Sequence, residues 1–313
     1  MLVVYHGEAG PRQVQRFAEV ADRHGLRIEV CSPTQPERLA ELLPEMDAWW
    51  HVLTPITAEH LDAAPRLRIV HKWGVGVNTI DVAAATERGV AVTNMPGSNA
   101  AAVSEATLLL MLSVLRQLPT FHTETVSGRG WSIPPNVGER NRELAGSTVG
   151  LVGYGDIAQR LGSVLTALGA TVVHHARRAD RPGWLPLDDL LAMSDVVSLH
   201  VPLTPETELL LDADRIARMR PGAVLVNTAR GGLVDLDALH AALDAGTLSG
   251  AGLDVFPDEP WDARHPISEH PRVVVTPHVA WLTWETLERS LDLAVANVLA
   301  IRDGQPLAHV VTG

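Results

Sequence analysis

Among its 313 residues the chain has a single cysteine, Cys31, so no internal disulfide can form and a reducing, cytoplasmic setting is expected. Positive charge is also short. Lys and Arg total 25 against 37 Asp and Glu, a formal net charge of −12. That balance argues against general affinity for nucleic acid or anionic membranes, and neither is expected as a partner. No apolar run approaches the ~20 residues needed to cross a bilayer. The opening stretch, Met1-Leu2-Val3-Val4-Tyr5-His6, lacks a basic region and a cleavage site, so it reads as a first strand and not as an export signal. Repeats and low-complexity tracts are absent. Convergent metal ligands are missing too: His174 and His175 are adjacent, and neighbours on a strand face opposite ways, so no metal is expected.

What is present is enough apolar residue for real cores, 46% of the chain, and enough length for roughly two domains. The stretch Val149 to Ala158 organises the rest. It reads as a buried strand (Leu151, Val152), a glycine turn and the start of a helix. Gly153 and Gly155 allow a tight turn and a close backbone approach to a pyrophosphate, and Ala158 lets the helix pack on the strand. The free N–H groups and dipole of that helix would face the phosphates. Glycine pairs also occur in ordinary strand-to-helix turns, so the context decides: a helical pattern follows (Ile157, Leu161, Val164, Leu165, Leu168), then a strand from Ala170 to His174.

That strand ends His174-His175-Ala176-Arg177-Arg178. An acid there would bind the ribose 2′-hydroxyl of NAD, and none is present. Arg177 and Arg178 suit a 2′-phosphate by charge and fork geometry, so NADP(H) is expected to be preferred, with NAD(H) possible. The plainer alternative is a solvated basic loop.

Before the glycine turn, strands at Leu2 to Tyr5, Leu26 to Val30, Ala48 to Leu53, Leu67 to His71 and Gly89 to Thr93 alternate with helical segments, which implies a parallel sheet. After the fourth strand, the N–H groups of Val75 and Gly76 could receive a carboxylate; a plain turn is the alternative. Pro96-Gly97 is a plausible hinge. The helix from about Asn99 to Leu118 is apolar nearly all round and is expected to be buried between domains or subunits. Ser127 to Asn141, around Trp131, reads as a loop. Later strands are expected at Val196 to His200, Ala223 to Asn227, Ala251 to Asp254 and Val273 to Thr276, and a last helix from about Thr286 to Ile301. The expected fold is α/β with two doubly wound parallel-sheet domains.

Several ordered blocks then resemble the D-isomer-specific 2-hydroxyacid dehydrogenase family over nearly the whole chain. They include Pro96-Gly97-Ser98-Asn99, the glycine turn, His200-Val201-Pro202-Leu203-Thr204-Pro205-Glu206-Thr207, Asn227 to Asp235, Gly252-Leu253-Asp254-Val255-Phe256, Glu259-Pro260 and Thr276-Pro277-His278-Val279-Ala280. The resemblance implies a Rossmann nucleotide domain, residues 97–281, inserted into a discontinuous flavodoxin-like substrate domain, residues 1–96 plus 282–313. It implies a substrate cleft between them and a homodimer built around the nucleotide domain, which would account for the apolar helix.

It also implies roles. His278 would give a proton to the oxygen that becomes an alcohol, and take it back in reverse. Glu259 would hold the imidazole and favour its protonated form. Arg230 would bind the substrate carboxylate and polarise its carbonyl. Singly these residues read as a surface ion pair, a solvated loop and a structural histidine; the ordered trio within matching motifs reads as catalytic. Asp156 and Ile157 would lie under the pyrophosphate. Thr207, Thr228 and Ala229 would line the nicotinamide half, Val103 would sit near the ring, and Pro202, His278 and Ala280 would also touch the cofactor. Asp254 would bind the carboxamide, or else cap a turn as an interior carboxylate.

Departures from the family pattern bear on the substrate. Asn78 stands where Asp is common, and Ala176 replaces the usual acid. Trp281 stands where a small residue is frequent, as in some members acting on glycerate and hydroxypyruvate; it would narrow the pocket, or serve as an apolar lid or subunit contact. Lys72 matches a position where phosphoglycerate dehydrogenases place a basic residue on the distal phosphate, so a doubly anionic substrate is one reading. The other is a surface lysine snorkelling over Trp73. The expected function is hydride transfer between NAD(P)(H) and a small D-2-hydroxy or 2-oxo acid such as glyoxylate or hydroxypyruvate. Alternatives are a phosphoglycerate-like or a phosphite- or formate-like dehydrogenase and, in another class, a nicotinamide-nucleotide-sensing interaction protein.

Overall fold

A computed structural model of the chain describes residues 1–133 and 135–311. Positions 312 and 313, within the expected substrate domain, and 134, within the expected loop, lie outside the described residues. The chain divides into two compact units, Met1–Asn99 with Thr283–Gly313, and Ala100–Leu282. The junctions expected at 96/97 and 281/282 differ from these by three residues and by one.

The first unit holds five parallel strands: β1 Leu2–His6, β2 Arg27–Cys31, β3 Ala48–His51, β4 Ile69–Lys72 and β5 Ala91–Thr93, in the order β2-β1-β3-β4-β5. This is the flavodoxin order. The pleat sends Leu2, Val4, Trp49 and Val70 to one core and Val3, Tyr5, Trp50 and Ile69 to the other. Trp49 and Trp50 are fully buried on opposite faces. At ~25 cal/mol per Å² of apolar surface, each burial is worth roughly 4–6 kcal/mol. The second core is closed by helix Pro11–His24 and by the C-terminal helix Trp284–Arg302. The latter contributes Leu291, Ala294, Val295 and Val298, one helical stripe. It starts earlier than expected because the Thr283 hydroxyl caps it, accepting from the Thr286 N–H at 3.2 Å. The returning chain is tied in where Asn297 donates to the buried His71 Nδ1 at 3.3 Å.

The second unit holds β6 Thr148–Val152, β7 Thr171–His175, β8 Val196–Leu199, β9 Ala223–Asn227, β10 Leu248–Leu253 and β11 Val273–Val275, all parallel, in the order β11-β10-β9-β8-β6-β7. Trp184 bridges His174 on the free edge of β7 and takes the place of the third strand in the Rossmann order. Helix Ala100–Leu115 crosses β10 closely: a Cβ on Gly250 would stand 2.5 Å from Val114 Cγ1.

That helix is shorter than expected. It ends at Leu115, and Gln117, at φ 49°, turns the chain into a second helix, Leu118–Val126. Pro119 sits in the first turn of the new helix, where its missing N–H costs nothing, whereas continuing the first helix through it would. In the single chain the first helix leaves Leu109 61% exposed. The segment expected as a loop carries short turns of helix at Gly130–Ser132 and Pro135–Gly138. Among the described residues, no single helix is long and apolar enough to cross a membrane.

Candidate active site

The catalytic candidates of the second unit follow β9, β10 and β11, at the carboxyl ends of parallel strands. After β9, the buried Asn227 side chain folds the loop on itself. Its Oδ1 accepts from the Ala229 N–H at 3.0 Å, and its Nδ2 donates to the Arg230 carbonyl at 2.8 Å. Arg230 Nη1 donates to the Ala229 carbonyl at 2.6 Å. Burial lowers the Arg230 guanidinium from its ordinary value, opposed by the Glu259 charge. Gly231 then presses directly on the loop after β10: a Cβ there would lie 1.9 Å from the Phe256 carbonyl carbon.

After β10, Asp254 is fully buried. Its Oδ1 accepts from the Thr276 hydroxyl at 2.6 Å and the Val279 N–H at 2.9 Å, and its Oδ2 from the Ala280 N–H at 3.0 Å. Burial raises its pKa against these bonds and the charge of His278. The Asp254 carbonyl accepts the His278 N–H at 2.7 Å, and the Trp281 indole donates to the His278 carbonyl at 3.0 Å. His278 is thereby held at φ 56°, a left-handed conformation that costs a non-glycine residue roughly 1–3 kcal/mol.

The His278 Nδ1 lies 2.6 Å from Glu259 Oε2, while Glu259 Oε1 accepts the Phe256 N–H at 3.0 Å. Burial alone would raise the Glu259 carboxyl, but His278, the Phe256 N–H and the Arg230 charge together leave it below its ordinary value. An ionised carboxylate only accepts, so His278 Nδ1 carries the proton in that contact and Nε2 is the nitrogen left for a reacting group.

The glycine turn fits a dinucleotide. Gly153 has φ 96°, and a Cβ on it would stand 2.4 Å from the His200 carbonyl oxygen, so only glycine closes this turn. Gly155 caps the twelve-residue helix Asp156–Ala167 without any side-chain cap, and a Cβ on it would meet nothing within 4 Å. Unsatisfied N–H groups under open space suit a pyrophosphate. Beyond β7, Arg177 and Arg178 are exposed. Arg181, which the sequence reading passed over although it follows Arg178 by three, lies 5.8 Å from the Tyr154 ring centroid. Tyr154 in turn stacks on His174 at 3.8 Å, and His175 Nδ1 donates to the Leu185 carbonyl at 3.0 Å.

Other candidates serve the loops that carry them. Thr107 donates to the Val103 carbonyl at 2.7 Å, so Thr228 is the donor in the 2.8 Å contact between the two threonines. That bond ties the loop after β9 to the helix bearing Val103. The Thr207 hydroxyl donates to the Pro202 carbonyl at 2.7 Å and accepts the Thr204 N–H at 2.8 Å, which closes the 202–207 turn. Asn227, Thr107 and Thr276 were missed by sequence reasoning. Asn227 and Thr276 lie inside recognised motifs, whereas nothing marks Thr107, whose partner is 121 residues away.

In the first unit, Val75 is exposed after β4, and its carbonyl accepts from Asn94 Nδ2 at 2.7 Å. Gly76 beside it is half-buried. Lys72 is the only lysine in the sequence. The expectation of a surface lysine over Trp73 is incorrect: Lys72 is 4% exposed, and its ammonium donates to the Val52 carbonyl. The reason is its register beside His51 at the end of a central strand, while Trp73 packs with Tyr5, Phe17 and Trp50. Burial and the Lys72 charge hold His51 neutral, well below the usual histidine range.

Residues 108–280 match the model of the NAD binding domain of D-isomer specific 2-hydroxyacid dehydrogenases. The chain is 38% identical to a glyoxylate reductase of Thermofilum pendens over 283 residues, covering 87% of this chain and 83% of that one. It is 41% identical to a D-3-phosphoglycerate dehydrogenase of Mycobacterium bovis over 288 residues, covering 88% of this chain but 54% of the relative's length. Among solved structures, an NAD-dependent formate dehydrogenase of Staphylococcus aureus in complex with NAD superposes with a TM-score of 0.90 at 29% identity, covering 100% of this chain and 99% of that one.

Proposed function

Because the chain belongs to the D-isomer-specific 2-hydroxyacid dehydrogenase family, we propose that it is an NADP(H)-preferring reductase of small 2-oxo acids of the glyoxylate and hydroxypyruvate type. The observation that carries this reading is the 2.6 Å contact of Glu259 with His278 Nδ1, in a carboxyl held below its ordinary value. It leaves Nε2 as the ring edge open to a reacting group, and the burial of Arg230 favours an anionic partner.

The roles follow from those atoms. Arg230 binds the substrate carboxylate through its fixed donors and draws charge from the carbonyl. His278 Nε2 delivers a proton to the carbonyl oxygen in reduction and accepts it in oxidation. Glu259 holds the ring on its axis and balances the positive charge while the proton is on the imidazole. The N–H groups of Val75 and Gly76 are assigned to the substrate carboxylate, and Trp281, bonded to the His278 carbonyl, to the pocket wall. A bound nicotinamide nucleotide supplies the hydride. Gly153, Gly155, Asp156 and Ile157 would hold its pyrophosphate, and Arg177 and Arg178 a 2′-phosphate. Val103, Pro202, Thr207, Thr228, Ala229 and Ala280 would flank the nicotinamide half. Asp254 is assigned to the carboxamide as well as to the turn that it caps.

The proposed homodimer accounts for an apolar surface that water would disfavour. Leu109, Leu118, Val126 and Trp131 are exposed by 61%, 53%, 75% and 97%. The buried thiol of Cys31 suits the proposed cytoplasmic setting.

The test is loss of nicotinamide absorbance with NADPH and NADH separately, against glyoxylate, hydroxypyruvate, phosphohydroxypyruvate and bulkier 2-oxo acids. Fast oxidation of NADPH by a small acid, with a lower KM than for NADH, supports the reading. A lower KM for NADH removes the role of Arg177 and Arg178. A second reading is a doubly anionic substrate whose distal charge meets Lys72 at the end of β4. A Lys72→Ala variant with unchanged KM for every active substrate would remove it.

A further inference from the structure

At the amino ends of β9, β10 and β11, opposite the catalytic loops, the second unit holds a cavity of about 280 Å³. Its wall includes Gly222 before β9, Ser249 in β10, Arg272 before β11, Gln117, Glu139 and Arg140. Five-residue β9 alone separates this end from the Arg230 loop by about 13 Å. The pairing of β10 with β9 shifts register between Leu248 and Gly250, either side of Ser249.

Two arginines, Arg140 and Arg272, line this cavity. Arg272 donates to the carbonyls of Leu248, at 3.3 Å, and Leu243, so neutral groups fix its guanidinium. Asp244 acts on it only through space, and lies 3.5 Å from His240 and 3.6 Å from His270. Arg140 sits on a turn clamped from below. Gln117 Nε2 donates to the Val137 carbonyl at 2.7 Å and to Asn141 Oδ1 at 2.9 Å, and the Arg142 N–H donates to the Leu115 carbonyl at 3.0 Å. Burial, and then the Arg140 charge, lower Arg272 from its ordinary value, so the two cations lie within each other's field. The third arginine of the wall, Arg142, pairs with Asp195 at 2.8 Å, a carboxylate that it shares with Arg220. Glu139 is the wall's one carboxylate, and among the described residues it pairs with neither arginine.

We propose that this cavity binds a small oxyanion, a phosphate or carboxylate group held between Arg140 and Arg272, at a site separate from the catalytic one. Like charges held at a distance by the backbone are relieved by an anion, and paired guanidinium forks match oxyanion geometry. The volume is near the lower end of ligand pockets, about 300 Å³, so it suits a phosphate or an acid of a few carbons and excludes a dinucleotide.

The experiment uses the full chain saturated with NADPH, so that the pyrophosphate site is filled. Inorganic phosphate and, separately, malonate are titrated at constant ionic strength against chloride, with calorimetry and melting temperature as readouts. The expected result is saturable binding at one site per chain. It is weakened at least tenfold in Arg140→Ala and largely retained in Arg140→Lys, with kcat/KM unchanged in both. Tighter phosphate points to a phosphate ester as the natural ligand, and tighter malonate to a carboxylate. Wild-type affinity in Arg140→Ala, or no saturable binding by the parent protein, overturns the proposal. So does dissociation of the oligomer in Arg140→Ala during sedimentation, because the arginines would then serve a subunit contact.

Discussion

Gly231→Ala isolates the mechanical link between the two loops that carry Arg230 and Glu259. The added Cβ would lie 1.9 Å from the Phe256 carbon, 2.2 Å from its oxygen and 2.3 Å from Pro257 N. All three are backbone atoms, so no side chain can swing away. Ordinary contact begins at 3.4 Å, and the loops must part by about 1.5 Å. Phe256 carries the N–H that fixes Glu259, and Arg230 is the residue before the substitution. A displacement of ~1 Å at reacting groups costs on the order of 100-fold in rate, and overpacking of this kind costs about 1–3 kcal/mol of stability. We expect kcat to fall by roughly two orders of magnitude and the melting temperature by several degrees, with NADPH affinity within a few fold, because the glycine turn at Gly153 is untouched. The control is its neighbour. In Gly232→Ala the nearest atom is the end of the Leu203 side chain at 3.0 Å, which can rotate, so near-parental kinetics are expected. Kinetics with the best 2-oxo acid, nucleotide titration by fluorescence and thermal melts decide the matter. Parental kcat in Gly231→Ala, or equal damage in both variants, would refute the reasoning.

Three further outcomes follow from the same geometry. His278→Ala should lose about 10²–10⁴ in kcat while NADPH affinity stays nearly unchanged, and stopped-flow turnover at the parental rate would remove the proton-donor role. Asp254→Asn keeps the shape but turns an amide donor towards N–H groups, so it should cost about 1–3 kcal/mol in urea unfolding and lower kcat more than tenfold; an unaltered kcat would show that the His278 turn does not need the carboxylate. Buried His71, pushed down to about 3 by desolvation, stays neutral in the fold while the unfolded chain takes up a proton near 6.5. The native state then binds fewer protons, so stability is complete above pH 6.5 and falls at about 1.4 kcal/mol per pH unit for this group as the pH drops towards 3. A flat unfolding free energy between pH 6.5 and 5 would contradict it.

Much of the site was legible because it is written locally. The Gly153 turn and the motifs around Arg230, Glu259 and His278 are each a few residues long, and parallel strands bring their ends to one rim whatever lies between. The uses of side chains were less legible. Asp254 could be read as a cofactor ligand or as a turn cap, and only its three bonds to Thr276, Val279 and Ala280 identify the cap. Lys72 looked exposed because lysine usually is, and its register beside His51 buried it.

The sequence by itself determined the order of strands and helices and the chemistry present at each strand end, because periodicity, glycine turns and caps act within a few residues. Tertiary structure alone decided which distant groups meet. The Thr107–Thr228 bond, the contact of Gly231 with Phe256 and the cavity wall shared by Arg140 and Arg272 join positions separated by 25 to 132 residues. Such pairings depend on loop path and packing distance, and nothing in the local pattern of residues encodes either.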